Sequence, residues 1–440
     1  MTNRLDRDFH LPGLLRFALP TIIMMLVVSL YTIVDGVLIA RLVGENALAA
    51  ANVAYPAISF TLAMGIMLGT GGSAVVAHKM GAGYLEEARR DFGFLALVAV
   101  CIGLAVCLAG ALFAGPLARL LGASDLLLDD TVTYLRVQLC FAPMAMLQLL
   151  FESFFVTAGR PGLGLGLATA AGVTNAVLDY LYMGPMQMGI LGAALGTVTG
   201  YSIPAVVGVL FFLLRRQGLR FGRPHGDLRM LGRACFNGAS EMVTNLSMAV
   251  TTFLFNAIMM AYLGEAGVSA ITIVLYAQFL LVALYMGFSM GVAPVFSFNR
   301  GAGRYDRMRR IFGYCLRFIL VSSVAILAVA LALSGVVVGI FSTPGSPVYA
   351  IALDGFRRFA PAFLFAGVNI FSSALFTALS DGRTSAIISF ARTFGFLLLG
   401  LLLLPRLLEV DGVWLAVPLA ELLSLSLIHI SEPTRHSLIS

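Results

Sequence analysis

The sequence predicts an all-α polytopic membrane protein with about twelve transmembrane helices in two six-helix bundles related by a parallel repeat. Three observations support this fold class. The 440 residues are 60% hydrophobic and 11% charged, with a mean hydropathy of +0.96. The apolar residues form long runs, and one half of the chain resembles the other. A soluble domain of this composition would expose large apolar patches and aggregate, so lipid is the expected solvent.

Each apolar run is long enough to cross a bilayer as a helix, which needs about 20 residues. Glycine, proline and charged residues separate the runs. A helix also closes its backbone hydrogen bonds within one segment, as hydrocarbon requires. In chain order the predicted helices lie near 14–42, 47–77, 86–117, 126–158, 161–183, 190–214, 231–263, 268–299, 306–341, 347–378, 383–405 and 412–430.

The longest polar stretch between these helices is 215–233, which is rich in arginine. It divides the chain into an N-lobe at 1–214, a cytoplasmic linker at 215–233 and a C-lobe at 234–430. The final segment, 431–440, is polar and ends the twelfth apolar run early. We interpret this segment as a truncated or non-native tail.

An internal repeat appears when the chain is shifted by 220 residues without gaps. One register that persists through several helices indicates a true repeat. Because each repeat holds an even number of helices, both enter the membrane from the same side, as in transporters that rock two bundles around a cavity. Matching segments include Gly44-Glu45 with Gly264-Glu265, Gly81-Ala82-Gly83 with Gly301-Ala302-Gly303, and Arg89-Arg90 with Arg309-Arg310.

The basic residues predict the orientation. Lys and Arg concentrate in the amino-terminal segment, the linker and alternate loops, and cationic loops stay on the cytoplasmic side. Both termini are therefore expected in the cytoplasm, and the protein in the cell membrane, which is the inner membrane where a cell has two. The net charge of +6 lies in these short loops, so no nucleic-acid partner is expected.

Several chemistries are not supported by the sequence. The five cysteines include no CxxC pair and have no histidine at ligand spacing, so no disulfide framework or cysteine-based metal site is expected. The five histidines are scattered over ends and loops. No nucleophile, base and orienting group can be assembled from them, so the chain is not expected to be an enzyme, and no cofactor is expected.

The informative residues are the polar ones inside apolar helices, because an acid at the membrane centre costs about 2.5–3.5 kcal/mol. Asp35 lies near the outer end of the first helix. Asn175 and Asp179 share one face of the fifth helix, and Thr197 lies at a similar depth on the sixth. Converging oxygens suit Na⁺ or a shared proton. A second interpretation stays open, in which both acids are separate interfacial residues.

A second group of polar residues predicts a substrate cavity. Tyr31 lies one turn from Asp35, whereas the others lie in the second half of the chain. They contact substrate in one interpretation and join neighbouring helices in the other, and the sequence does not choose. The residues of this group are Tyr31, Glu241, Asn245, Tyr276 and Gln278.

Two arginines, Arg317 and Arg392, also lie within predicted membrane helices, where each needs a partner. Prolines inside six of the helices remove a backbone hydrogen bond and permit a kink, which serves gating or merely shape. These prolines are Pro20, Pro56, Pro143, Pro204, Pro294 and Pro361.

The chain resembles the multidrug and toxic compound extrusion (MATE) family from about Leu14 to Leu427. The most telling segments are Pro20 with Asp35, GTGGSAVVAHKMGAG at 69–83 and GVWLAVPLAE at 412–421. The resemblance implies a twelve-helix exporter that expels drugs and organic cations in exchange for Na⁺ or H⁺. Its substrates would be small, cationic and amphipathic, and the protein would be a monomer in the bilayer.

One branch of this family uses an acidic site in its amino-terminal lobe, and the resemblance carries that site to Asp35, Asn175, Asp179 and Thr197, with Na⁺ as the metal if sodium is used. Another branch uses carboxylates of the second lobe, including one on the eighth helix, which here contains no acid. The alternatives are a lipid-linked oligosaccharide flippase of the same superfamily, whose cavity would need several arginines for pyrophosphate, and a membrane-embedded enzyme.

Overall fold

The computed structural model describes residues 4–430, and their regular secondary structure is helical throughout. The predicted tail at 431–440 lies outside the described residues. A short 3₁₀ turn, Arg4–Asp6, precedes the first long helix. The helices are α1 Leu11–Leu42, α2 Glu45–Gly81, α3 Leu85–Leu120, α4 Leu128–Cys140, α5 Ala142–Thr157, α6 Pro161–Met183, α7 Gly189–Leu214, α8 Leu228–Gly301, α9 Tyr305–Ala332, α10 Ser334–Phe341, α11 Pro347–Phe359, α12 Ala362–Ala378, α13 Gly382–Phe390, a π-helical segment Ala391–Leu397, and α14 Leu398–Ile430.

Eight of the described helices are long and apolar enough to cross a membrane, and two bent pairs raise this number to ten. Two of the eight are not single crossings. At about 1.5 Å per residue, the 74 residues of α8 would extend far beyond the 30 Å hydrocarbon core of a bilayer. The torsion angles of Gly264 break α8, and those of Glu409 break α14. Counting these breaks gives the twelve predicted crossings.

The chain folds back on itself at both breaks. A Cβ on Gly267 would lie 2.6 Å from the Cβ of Leu263, and a Cβ on Gly412 would lie 2.3 Å from the carbonyl carbon of Leu404. Such short separations between residues four and eight positions apart require a sharp turn of the chain at each break. Gly44, which the repeat matches with Gly264, also has a positive φ and precedes α2.

The repeat is visible in the helix geometry. The bent pairs α4–α5 and α11–α12 occupy matching places in the two halves, and their bends measure 55° and 53°. Gly83 and Gly303 both adopt a positive φ in the turns that lead into α3 and α9. The prediction of an all-helical membrane fold is therefore confirmed, and the two halves share their local geometry.

The polar segment 215–227 is irregular and ends where α8 begins at Leu228, a few residues before the predicted start of that helix. Asp227 caps this start by accepting hydrogen bonds from the backbone N–H groups of Arg229 and Met230. The Met230 and Arg229 amides hold the pKa of the Asp227 carboxyl below its usual range. A cap of this kind sets where a helix starts.

We call the end of the bundle that carries the loops 82–84, 158–160, 215–227, 302–304 and 379–381 the basic end. Here α1 and α2 pack tightly against α8. A Cβ on Gly81 would lie 1.9 Å from the carbonyl oxygen of Phe298, and one on Gly301 would lie 1.9 Å from that of His78. Farther along α1, a Cβ on Gly287 would lie 2.6 Å from the Cα of Ile22. Backbone therefore meets backbone where the two halves join.

The amino-terminal segment adds to this contact. Asp6 forms ion pairs with Arg304 and Arg307, and Asp8 lies 3.5 Å from Arg310. The segment precedes α1 of the first half but is paired with the start of α9 in the second. That the basic end faces the cytoplasm remains a prediction from the loop charges.

Candidate functional site

The four residues of the predicted cation site lie on three neighbouring helices of the first half. Asp35 lies on α1, Asn175 and Asp179 lie on α6, and Thr197 lies on α7. Asp35 is about 10 Å from the end of α1 and Asp179 about 6 Å from the end of α6, at 1.5 Å per residue. The helix directions therefore bring these side chains to a similar depth, away from the basic end.

The two carboxyl groups meet. Those of Asp35 and Asp179 lie within hydrogen-bonding range of each other. Asp179 is fully buried, and the amide nitrogen of Asn175 donates to its Oδ2 at 2.8 Å. Residues four apart on a helix share one face, so the same spacing that predicts this pair also produces its hydrogen bond. The interpretation of the two acids as separate interfacial residues does not fit this geometry.

Gly196 determines how closely α7 approaches the pair. A Cβ at this position would lie 1.9 Å from Oδ1 of Asp179. Thr197, the next residue, is buried, and its hydroxyl donates to the carbonyl of Ala193 at 3.0 Å. Its remaining lone pair stays available, and Tyr134 of α4 lies within hydrogen-bonding range.

Two oxygen atoms of this site lack a donor. Oδ1 of Asp35 and Oδ1 of Asp179 are buried and accept no hydrogen bond from the residues that the structure describes. Neither acid forms an ion pair with a lysine or arginine within 4–430. Two adjacent carboxylates, of which Asp179 is fully and Asp35 half buried, repel each other and are poorly solvated, so they favour binding a proton or a metal cation between them.

The oxygens present suit Na⁺ better than a transition metal. Within the described part of the chain, no three His, Cys, Asp or Glu side chains gather as a metal site. The four residues instead offer two carboxylates, an amide and a hydroxyl, which are hard oxygen donors. A sodium ion or a shared proton therefore fits the unpartnered oxygens.

A third buried acid lies close to this pair and was not predicted. Glu152 of α5 accepts a hydrogen bond from the side-chain amide of Gln148 at 3.1 Å. Gln148 lies within hydrogen-bonding range of Tyr31. The Tyr31 side chain also interacts electrostatically with Glu152 and Asp35. The site therefore continues from Asp35 through Tyr31 to Glu152. The sequence does contain the signal, because Glu152 is an acid inside a predicted membrane helix, but its aromatic neighbours favour a packing interpretation.

Two further tyrosines surround the acids. Tyr134 lies close enough to both carboxylates to interact with them electrostatically. Tyr201 of α7 interacts in the same way with Tyr31 and Asp35. Neither belongs to the predicted set, because phenol groups in apolar helices resemble the tyrosines of the interfacial belt. The first half thus holds a polar cluster in which three tyrosines surround three acids.

The residues predicted for the cavity in the second half do not form one cluster. Glu241 and Asn245 lie one turn apart on α8, and the Asn245 side chain donates to the Glu241 backbone carbonyl at 2.9 Å. Tyr276 lies on the returning arm of α8, where its ring stacks on Phe341 with centroids 6.0 Å apart. Gln278 is half-buried on the same arm. Of the predicted cavity residues, Tyr31 alone is joined to the acids.

Comparison with known proteins adds the family context. The MatE family matches residues 20–181 and 242–402, which together form more than two thirds of the chain. The multidrug export protein MepA of Staphylococcus saprophyticus is 23% identical over 410 residues, which cover 91% of this chain and 87% of that protein.

Two solved structures share the fold. A crystal structure of MATE in complex with MaL6 matches with a TM-score of 0.91 at 19% identity and covers 97% of this chain and 96% of that one. The outward-facing conformation of a multidrug resistance MATE family transporter of the MOP superfamily matches with a TM-score of 0.90 at the same identity and coverage. At this identity the likeness concerns the fold.

Proposed function

The chain belongs to the MatE family, and from this premise we propose that it is a cation-coupled antiporter that exports drugs or organic cations across the cell membrane. The coupling ion is H⁺ or Na⁺. The substrates are small, cationic and amphipathic, and the protein works as a monomer with both termini in the cytoplasm. The MepA proteins that resemble it along most of their length are multidrug exporters, which supports this assignment.

One observation carries the proposal. Asp35 and Asp179 meet inside the first half, and each keeps a buried oxygen without a hydrogen-bond donor. Such a pair is unstable without a cation, because buried charge is costly unless it is neutralised. A protein that only stabilised its fold would gain from apolar residues here, whereas a coupled transporter needs a site whose charge changes.

The ion and the substrate alternate in this scheme. With the acids ionised, the polar cluster formed by Tyr31, Glu152 and the aspartate pair is negative and attracts an organic cation. A proton or Na⁺ that enters from outside binds the aspartate pair, lowers its negative charge by one and weakens that attraction. The membrane potential contributes about 2.3 kcal/mol per charge per 100 mV to this entry. The substrate then leaves toward the outside.

We further propose that the N-lobe at 1–214 and the C-lobe at 234–430 move against each other, connected by the linker at 215–233. The contacts of Gly81 and Gly301 close the basic end, so the exchange of ion and substrate takes place at the opposite end in this conformation. Opening of the basic end to the cytoplasm completes alternating access.

The test is the efflux of a cationic dye, ethidium, from cells that express the protein. Asp35→Asn and Asp179→Asn each keep the shape of the side chain but remove the negative charge. We expect both variants to reach normal levels in the membrane and to lose efflux. Asp125→Asn is the matched control, because the Asp125 side chain is 91% exposed in the loop between α3 and α4, outside the helices that carry the pair. Normal efflux by both site variants would refute the assignment of the cation site.

A further inference from the structure

The amino-terminal segment and the start of α1 border a cavity of about 690 Å³ at the basic end. The rings of Phe9 and Phe17 pack with their centroids 5.5 Å apart and supply apolar surface to it. Arg7 and Arg16 line the same cavity and are exposed. The cavity thus combines aromatic and cationic side chains. Its lining includes Arg7, Asp8, Phe9, His10, Arg16 and Phe17.

The two arginines of this cavity carry charge that the fold does not neutralise. Asp8 is the one acid among the described lining residues, and its carboxyl group lies 3.5 Å from Arg310 of α9. Among residues 4–430, neither Arg7 nor Arg16 forms an ion pair or a side-chain hydrogen bond. The cavity is therefore a cationic site that an anion would complement.

The length of α1 places the cavity at the head-group level of a bilayer. Its 32 residues extend about 48 Å at 1.5 Å per residue, whereas a bilayer is about 30 Å thick in its hydrocarbon core and about 40–45 Å with its head groups. One exposed face of α1 runs from the cavity toward the hydrocarbon core. Gly13 and Arg16 begin this face at the cavity. Leu19 and Ile23, both exposed, continue it at helical spacing.

We propose that the cavity binds an anionic phospholipid whose phosphate lies on Arg7 and Arg16. One acyl chain lies along Leu19 and Ile23. A guanidinium holds phosphate oxygens through two parallel hydrogen bonds. A free phosphate would use the arginines alone, whereas a lipid also covers the exposed apolar face, and a zwitterionic head group would bring a cation toward two unpaired arginines. A lipid bound here is separate from the exported substrate, so its absence would leave the export proposal unaffected.

The test titrates the purified full-length protein with two lipids and counts the bound lipid by native mass spectrometry. POPG is anionic and POPC is zwitterionic, and both carry the same palmitoyl and oleoyl chains. The measured quantity is the ratio of their dissociation constants for the first bound lipid. We expect the unaltered protein to prefer POPG. The double variant Arg7→Gln, Arg16→Gln should lower this preference about tenfold, because charge-assisted hydrogen bonds are lost.

The double variant Arg216→Gln, Arg220→Gln is the matched control for loss of charge. It removes two exposed arginines of the linker and should leave the preference for POPG unaltered. An unchanged preference after loss of Arg7 and Arg16 would overturn the lipid site. An equal fall in both double variants would also overturn it, because the attraction would then belong to the surface charge as a whole.

A further variant fills the cavity without changing its charge. Gly13 lines the cavity, and a Cβ there would meet nothing within 4 Å, so Gly13→Leu should fold normally and weaken POPG binding. Gly232→Leu is its control, since Gly232 of α8 is equally open but lies outside the described lining. Equal POPG binding by these two variants would contradict a lipid in the cavity.

A free anion is distinguished from a lipid by competition. Glycerol 1-phosphate carries an anionic phosphate without acyl chains and, at the same concentration, should leave POPG bound. Displacement of POPG by this compound would overturn the lipid assignment and identify the occupant as a free phosphate.

Discussion

The Asp179 carboxyl group is held by two side chains, those of Asn175 and Asp35, and by the close approach of a glycine, Gly196. Asn175 donates to one of its oxygens, Asp35 approaches from α1, and Gly196 lets α7 lie directly against the other oxygen. The position of this carboxyl group therefore depends on a glycine as much as on its polar neighbours. Adding one methyl group at Gly196 should therefore displace the Asp179 carboxyl group.

We predict that Gly196→Ala impairs ion-dependent efflux, because the new Cβ would lie 1.9 Å from Oδ1 of Asp179. The carboxyl group must then move out of position. Overpacking of this kind costs about 1–3 kcal/mol, which corresponds to a loss of about fivefold to 150-fold in cation affinity where the cost falls on the cation-bound state. Gly166→Ala on α6 is the matched control, since its Cβ would meet nothing within 4 Å. Equal efflux by the two variants would show that close packing at Gly196 is not required.

At this scale, the sequence predicts the side chains that carry charge and share a helix face. Asn175 and Asp179 follow from their spacing, and their meeting with Asp35 follows from the helix directions. The contributions of Gly196 and Tyr134 could not be predicted, because the rotation of a helix about its axis depends on neighbours from distant parts of the chain. Glu152 was missed for a different reason, since its run of phenylalanines indicates packing.

Prolines in the sequence predict only some of the positions at which the helices of this protein break. Of the six prolines that permit a kink, Pro143 and Pro361 lie at the breaks of the two bent pairs. The helices continue through Pro20, Pro56, Pro204 and Pro294. A missing amide is therefore insufficient to break a membrane helix, because neighbouring helices hold its two parts in line.

The crossing of α2 and α8 depends on glycine in both helices. We predict that Gly301→Ala lowers the melting temperature of the purified protein, because its Cβ would lie 1.9 Å from the His78 carbonyl oxygen. The expected loss is about 1–3 kcal/mol of unfolding free energy. A Cβ on Gly313 of α9 would meet nothing within 4 Å, so Gly313→Ala serves as the control. If both variants melt like the unaltered protein, the close approach at the basic end is not required for stability.

The sequence predicts where helices exist better than how each is built. The twelve apolar runs correspond to the twelve crossings, because length and apolarity alone determine what spans a bilayer. The π-helical segment at Ala391–Leu397 was not predicted. Its extra residue per turn depends on the packing and charge around Arg392, which a local pattern does not contain.

The whole molecule combines a local repeat with different chemistry in its two halves. The same family matches residues 20–181 and 242–402, and matching turns carry glycines with positive φ at Gly83 and Gly303. The repeat positions of Asn175 and Asp179 are Gly395 and Leu399 in the second half. The repeat therefore does not reproduce this acidic pair in the second half.

Closure of the basic end could not be predicted from sequence. The charges of Asp6 and Arg304 were visible, but their pairing across the two halves was not. An alternating-access protein holds two arrangements of the same chain that differ by a few kcal/mol, so a local pattern fits both equally.

The most direct test of cation coupling uses the protein reconstituted in liposomes, with ethidium transport driven by an imposed Na⁺ or H⁺ gradient. We predict that the unaltered protein concentrates the dye against its own gradient with at least one of these ions. Asp179→Asn should bind ethidium and let it equilibrate but fail to concentrate it. Uphill, gradient-driven ethidium transport by Asp179→Asn would contradict the claim that the pair of Asp35 and Asp179 couples the ion to export.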